Sequence, residues 1–293
     1  MSIDQCNICP WHCNVNRKTH LGACGAPSEL KINTYFLHFG EEPVLVGSAG
    51  SGTIFFSHCN LRCCFCQNFQ ISAGGEGKII SEHELERICY ELQEKGALNI
   101  NLVSPTIYSL SLIPTLQRVK KNGLNIPIVW NSNAYEKIET LKQLEGLVDI
   151  YLPDFKYGDD FLGNKYSQVP NYTVRAQQAI REMYRQTGNL ILDDDEIAIF
   201  GTMIRLLVLP NQQSKTEKIL HWVAEEIGTD VAISLMSQYY PAFQAKNSSL
   251  LGRGVSEEEY GQMVEIMTKL GFENGFIQEP SCTPEWTPEF SRS

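Results

Sequence analysis

The chain contains no apolar run long enough to span a bilayer, which argues against a helical membrane anchor. Its first residues, Met1-Ser2-Ile3-Asp4-Gln5-Cys6, lack the basic segment and following apolar stretch of a secretory leader. A cytoplasmic protein is therefore expected. Basic charge is in deficit: 24 Lys and Arg against 34 Asp and Glu give a formal net charge of −10. So acidic a chain binds phosphate backbones poorly, and neither nucleic acid nor a membrane is an expected partner. No internal repeat or low-complexity linker breaks the sequence. The 293 residues, 43% of them hydrophobic, suffice for one large packed domain with an appendage.

Cysteine, by contrast, is plentiful. Seven of the ten cysteines fall in two clusters, which in a reducing compartment read as metal sites and not disulfides. The first cluster is Cys6, Cys9, Cys13 and Cys24, spaced C-x2-C-x3-C-x10-C. Four thiolates complete a closed site, and so short a segment has little core of its own, so a metal would have to fold it. Zinc and an iron–sulfur cluster both accept four thiolates, and the spacing does not separate them. Nothing in the arm marks it for electron transfer, which tilts the reading toward zinc or a structural role. His12 and His20 read as surface groups, because the thiols already suffice.

The second cluster, Cys59, Cys63 and Cys66, stands at C-x3-C-x2-C straight after the strand-like run 52–58. Three thiolates on one loop can hold three irons of a cubic cluster and leave the fourth without a protein ligand. Four cysteines are the usual complement, so the missing one leaves a position for a substrate or cosubstrate, as at a catalytic zinc. A zinc knuckle would need a fourth ligand at short spacing. Cys64 is too close to Cys63 to complete a tetrahedron, and His58 abuts Cys59. A three-ligand cluster is oxygen-sensitive, so an anaerobic setting is expected.

Residues 31–47 read as a hairpin, with strands at 31–38 and 44–46 around a Gly40–Pro43 turn. Beyond the cysteine loop, strands alternate with helices. Strands are expected at 99–103, 126–130, 148–152, 203–209 and 231–236, and helices after 81, over 110–122 and 174–186, and after 214 and 256. A small hairpin is expected over 190–200. This rhythm argues for an α/β fold with parallel strands and right-handed crossovers.

The C-x3-C-x2-C spacing, with Phe65 before the last cysteine, resembles the radical S-adenosylmethionine (SAM) superfamily. The resemblance implies a partial (β/α)6 TIM-like barrel. The N-terminal Cys-rich arm would cover 1–30, the core 31–275 with its opening hairpin at 31–51, and a C-terminal strap 276–293. It implies a 4Fe–4S cluster on Cys59, Cys63 and Cys66, whose open iron takes the amino and carboxylate groups of SAM. Reduction then cleaves SAM to methionine and a 5′-deoxyadenosyl radical. The run Gly52–Cys63, the arm with Asn16-Arg17, and the stretches Asn101–Thr106, Leu152–Lys156, Arg205–Pro210 and Gln238–Pro241 are similar to the pyruvate formate-lyase activating enzyme-like branch. Within that branch they resemble its uncharacterised members from about Cys6 to Gln278.

In barrels of this type function collects where strands end, and polar residues cluster there. The resemblance implies that Phe65 packs near the adenine. Ser104, Thr106, Asn131 and Asn133 become candidate SAM contacts. Asp154 and Lys156 would lie near SAM and substrate, and Arg205 would meet the SAM carboxylate or ribose. Surface salt bridges are the alternative for the last three. Two departures stand out. Many relatives carry Gly-Gly-Glu after strand two, where this chain has Ser104-Pro105-Thr106; its Gly74-Gly75-Glu76 precedes the first helix and reads as a decoy. Leu206 stands where many members have His. An external donor of flavodoxin or ferredoxin type is implied. The expected activity is hydrogen abstraction, either as an activase forming a glycyl radical on a partner protein or as a modifier of a peptide or small molecule. The contrasting reading is a non-catalytic metal or electron carrier with no SAM affinity.

Overall fold

A computed structural model describes residues 2–278 of the chain. In order the elements are β1 (Leu30–His38), α1 (Pro43–Val46), β2 (Ser51–Phe56), α2 (Phe69–Ser72), β3 (Lys78–Ile80), α3 (Glu82–Glu94), β4 (Ile100–Val103), α4 (Ser109–Lys121), β5 (Ile128–Ser132) and α5 (Ile138–Leu141). There follow β6 (Ile150–Pro153), α6 (Asp160–Ser167), α7 (Tyr172–Thr187), β7 (Ile191–Leu192), β8 (Ala198–Leu207), α8 (Thr216–Glu226), β9 (Ala232–Met236), α9 (Glu257–Lys269) and β10 (Gly275–Ile277). The strands join in the order β10-β9-β8-β6-β5-β4-β2-β1-β3, with β7 beside β8. From β2 to β10 neighbouring strands run parallel, while β1 pairs antiparallel with β2 and β3. This is an α/β fold with a mostly parallel sheet, the partial-barrel architecture.

A parallel sheet is covered on both faces, so its strands are apolar nearly throughout. Every residue of β2, β5, β6 and β9 is buried. Alternation then sorts the side chains. Ile54, Ile100, Leu102, Trp130 and Tyr151 pack with Leu85, Ile88 and Leu92 of α3 and with α4. Val129, Ile150, Leu152, Met203 and Ala232 pack with Val44 and Leu45.

Those last two residues correct the expected hairpin. Val44–Val46 is a helical turn, begun by Pro43 at its first position, and not a strand. A three-residue apolar run is ambiguous by pattern alone; here the strands' inner side chains need a cover, and α1 supplies it. Asn99 Nδ2 holds the Leu45 carbonyl at 2.8 Å. The true partner of β1 is β2. The expected hairpin over 190–200 joins β7 to the start of β8, which runs on as the barrel strand. The helix after Ser214 is entered through Lys215 in a left-handed conformation, while the Ser214 hydroxyl bonds Leu209 N and Thr216 Oγ1. Helix α6 was not expected, since its eight residues include Gly163 and show weak periodicity. At the other end, Gly275–Ile277 extends the sheet as a parallel strand, so the expected strap begins as β10. From residue 279 on, that strap lies outside the described residues.

Helix α9, expected after Ser256, opens on a reciprocal capping box. The Glu259 carboxylate accepts from Ser256 N, Asn211 N and both terminal nitrogens of Arg253. Arg253 above all holds its pKa at about 2, below the ordinary 4.5. This contribution is full above 4.5 and lost as pH falls through about 2. Glu259→Gln should cost on the order of 1 kcal/mol in urea unfolding at neutral pH. The gap to the parent chain should close on acidification; pH-independent destabilisation would contradict this account.

Candidate active site

The cysteine loop leaves the end of β2 through His58, whose φ of +68° turns the chain sharply. The loop then docks on the end of α6. Arg62 N donates to Ser167 O at 3.0 Å, and Cys64 N to Tyr166 O at 2.8 Å. Asn60 Nδ2 holds the Tyr135 carbonyl at 2.8 Å. The helix missed in the sequence is therefore the cradle of the loop.

Cys59, Cys63 and Cys66 line one cavity of about 210 Å³, and Cys64 does not line it. The Cys59 sulfur accepts Leu61 N at 3.4 Å and Asn133 Nδ2 at 3.3 Å. Cys63 and Cys66 share hydrogen bonds with the hydroxyls of Ser167 and Ser72, at 2.9 and 3.1 Å. Burial pushes the Cys63 thiol up to about 12, against the opposing pull of Lys156, and raises Cys66 as well. Among the described residues no three His, Cys, Asp or Glu side chains are grouped to hold a single metal ion. A cubic cluster does not ask for that, because each thiolate takes its own iron. Three sulfurs on one cavity wall, each beside a potential hydrogen-bond donor, fit such a group.

The strand ends supply the rest of the wall. Phe65, Ser104, Asn131, Asn133, Asp154, Lys156 and Arg205 line the same cavity, as do Ser132 and Gln238. Phe65 sits edge-on to Tyr157 and Tyr239, with centroids 6.3 and 5.7 Å away. Thr106 departs from the expected pattern. Its hydroxyl bonds the buried Glu136 at 2.6 Å, and it does not line the cavity. Asn133 is committed to the loop, with Nδ2 on Asn60 Oδ1 at 2.8 Å and on the Cys59 sulfur, and Oδ1 on Tyr135 N. It positions Cys59 and lines the cavity at the same time.

The charged residues are not surface pairs. Lys156 Nζ lies 2.7 Å from Asp154 Oδ2, with both side chains less than a quarter exposed. Burial alone would lower the Lys156 pKa, but Asp154 and the Cys63 thiol outweigh it and the net shift is upward. Arg205 meets Glu41 at 3.1 Å, Glu42 at 3.4 Å and Asp154 at 3.5 Å. These carboxylates raise its pKa against the effect of burial. Glu41 also accepts from Asn101 Nδ2.

Several of these partners escaped the sequence reading. Glu41 and Glu42 looked like turn residues; two adjacent acids before an apolar Pro-Val-Leu-Val run were the available signal. Ser72, Ser167 and Tyr172 gave none. The Tyr172 hydroxyl accepts Lys156 N and reaches the carbonyls of Asn133 and Asp154, all at 2.9 Å, tying the ends of β5 and β6 together. Glu76 is exposed, and Gly75 stands against His58, with no room for a Cβ. Leu206 is fully buried in the core packed by α7, α8 and α9, outside the cavity lining, so the family's histidine at this position has no counterpart in the cavity.

A model of the Radical SAM superfamily matches residues 53–223. The chain belongs to the radical SAM superfamily. An uncharacterised protein of Methanocaldococcus jannaschii is 36% identical over 274 residues, covering 90% of this chain and 74% of that one. A second from the same organism is 23% identical over 95% of this chain and 85% of its own length. Among solved structures, Streptococcus suis SuiB bound to S-adenosylmethionine gives a TM-score of 0.54 at 14% identity, covering 76% of this chain and 48% of SuiB. HydG, a maturase of the FeFe-hydrogenase, gives 0.52 at 16% identity, over 75% and 49% of the two chains. Methylornithine synthase gives 0.51 at 16%, over 72% and 59%. The chain thus spans about half to three-fifths of the length of these three solved proteins. Membership implies a 4Fe–4S cluster and SAM as cofactors of an enzyme.

Cys63→Ala should lose the catalytic iron after anaerobic reconstitution, whereas Cys64→Ala should keep it, measured by iron content and the cluster's absorbance. The reverse pattern would reassign the ligands. Glu76→Ala should leave SAM affinity nearly unchanged in equilibrium dialysis, and a tenfold loss, about 1.4 kcal/mol, would restore the Gly-Gly-Glu element to the site.

Proposed function

We propose that this chain is a radical SAM enzyme of the activating type, which abstracts hydrogen from a glycine of a partner protein. The observation that carries the radical SAM part is the meeting of Cys59, Cys63 and Cys66 with the strand-end polar residues on one cavity. The activating part rests on the resemblance of the cysteine loop, the arm and the strand-end stretches to that branch. When bound, the cluster and SAM together supply one-electron reduction and a 5′-deoxyadenosyl radical able to remove hydrogen.

The chain's own residues bind, orient and exclude water. Cys59, Cys63 and Cys66 hold the cluster. Phe65, fixed by Tyr157 and Tyr239, offers the ring edge that packs near adenine. Ser104 and Asn131 remain as polar SAM contacts, while Asn133 holds the loop. Lys156 keeps a positive charge beside the thiolates. Arg205, neutralised by Glu41, Glu42 and Asp154, fixes the charged wall of the cavity and presents Asp154 to SAM or substrate.

Anaerobic reconstitution, reduction with dithionite and chromatography for 5′-deoxyadenosine form the first test. The parent chain should release it and Cys63→Ala should not. No product from a fully loaded protein would leave the electron-carrier reading. A glycyl-radical signal in electron paramagnetic resonance on an added partner protein supports the activase. Deuterium transfer from a peptide or small molecule, without a protein radical, would overturn that half.

A further inference from the structure

Behind the cavity wall lies a buried carboxyl. Glu136, just past the end of β5, is almost without exposure and does not line the cavity. Its Oε1 accepts the Thr106 hydroxyl at 2.6 Å and the Trp130 indole N–H at 3.0 Å, and the Ser132 hydroxyl also supports this carboxyl. Its Oε2 is buried without a hydrogen-bond partner. Burial pushes the Glu136 pKa above its ordinary value, against the pull of these donors, and no basic side chain contributes. A buried carboxylate with no cation and one unpaired oxygen is costly, so the neutral acid is the form that fits.

Two strained turns converge on this acid. Ser104, straight after β4, has φ +60° and ψ +46°, a conformation uncommon for a residue with a Cβ. The proline that follows it disfavours the α regions further. Ala134, past the end of β5, also has φ +60° and is fully buried. It turns the chain back, with Glu136 N on Ala134 O at 2.9 Å, so that Glu136 meets Trp130 and Ser132 of its own strand. Such strain persists only where the surroundings over-determine it, and it gathers at ligand clamps. Here the Thr106 bond closes the first turn on Glu136, and the Trp130 and Ser132 bonds close the second. Ser104 and Ser132, which stand at those turns, line the cavity beside the cysteine sulfurs. Ser104 N also donates to Asn131 O at 2.9 Å, which joins the two strand ends.

We propose that Glu136 is a positioning residue for SAM: from behind the wall it fixes the Ser104 and Ser132 turns in the form that holds the polar end of SAM. This deepens the radical SAM reading of the cavity and rests on it. Ser104-Pro105-Thr106, where many relatives carry Gly-Gly-Glu, has no acid of its own. The acid it meets comes from the next strand end and acts through hydroxyls. No proton or bond changes at Glu136; it only accepts. Glutamine keeps its shape and accepting oxygen, whereas leucine keeps bulk without the oxygen. The first turn has other ties, since Ser109 Oγ donates to Thr106 O at 2.6 Å and the Tyr108 hydroxyl to Ser57 O at 3.1 Å. Thr106→Val therefore removes one bond to Glu136 from a turn that still folds, and it serves where Glu136→Leu misfolds.

The test uses the full chain, reconstituted anaerobically. SAM affinity by equilibrium dialysis, iron content and urea unfolding are measured on each variant, with 5′-deoxyadenosine release followed across SAM concentrations. Thr106→Val and Glu136→Leu should each bind SAM roughly tenfold more weakly at the parent's iron content. In Thr106→Val the half-saturating SAM concentration should rise to match, while the rate at saturation stays within about twofold. Glu136→Gln should hold SAM within about twofold of the parent. Unchanged affinity in Thr106→Val and Glu136→Leu, with a lower urea midpoint, would make Glu136 a purely structural acid and overturn the proposal. Equal losses in Glu136→Gln and Glu136→Leu would show that the charge is needed and overturn the hydrogen-bond account. Loss of iron along with affinity would place the effect on the cysteine loop and overturn it too. A parent that holds its cluster and binds no SAM would sink the radical SAM reading itself, a result that no comparison among the variants can mimic.

Discussion

The buried ion pairs around Arg205 are the constraint on which the cavity depends. One guanidinium from β8 faces Glu41 and Glu42 from the segment that fills the barrel interior, and Asp154 from the end of β6. Taking such charges out of water costs several kcal/mol per ion unless each finds a partner. The arrangement therefore ties three separate chain segments together, since withdrawing Arg205 would leave Glu41 and Glu42 as neighbouring buried acids without their cation. Asp154 passes the constraint on to Lys156, which lies beside the cysteine loop. The charged wall, the interior plug and the electrostatics of the thiols are one connected system.

Packing reinforces that system with hydrogen bonds at the strand ends. Asn133 grips both Asn60 and the Cys59 sulfur, while Ser167 reaches Cys63 and Tyr157. A thiol loop free to wander could not present three sulfurs to a rigid cofactor. Here it is held by α6 on one side and by the end of β5 on the other, which converts a flexible turn into a fixed edge of the cavity.

Much of this was legible in the sequence because the relevant signals are local. Cysteine spacing is read directly, the βα rhythm follows from apolar runs and glycine stops, and polar residues after strands announce a common mouth. What stayed hidden depends on distance in space. Glu41 and Glu42 lie more than 160 residues from Arg205, and no local pattern tells a turn acid from a buried counter-ion. Thr106 looked like a mouth residue by position. The turn Pro105–Tyr108 carries it inward to Glu136, a direction no spacing rule supplies. Val44–Val46 had too few residues for its period to be read, so its helical form was decided by the cavity it fills.

The arm's attachment has a directional character. Trp11, Arg17, Arg62, Lys137 and Thr140 all donate side-chain hydrogens to main-chain carbonyls, those of Asn60, Ile107, Ala23, Asn7 and Ile8. A carbonyl is the same on every residue, so the accepting positions are blind to their own side chains. In these hydrogen bonds the side-chain information lies with the donors. A change at an acceptor therefore leaves this seam's bonds intact, and what constrains Asn60, Ile8 and Ile107 is their own burial in the loop and core.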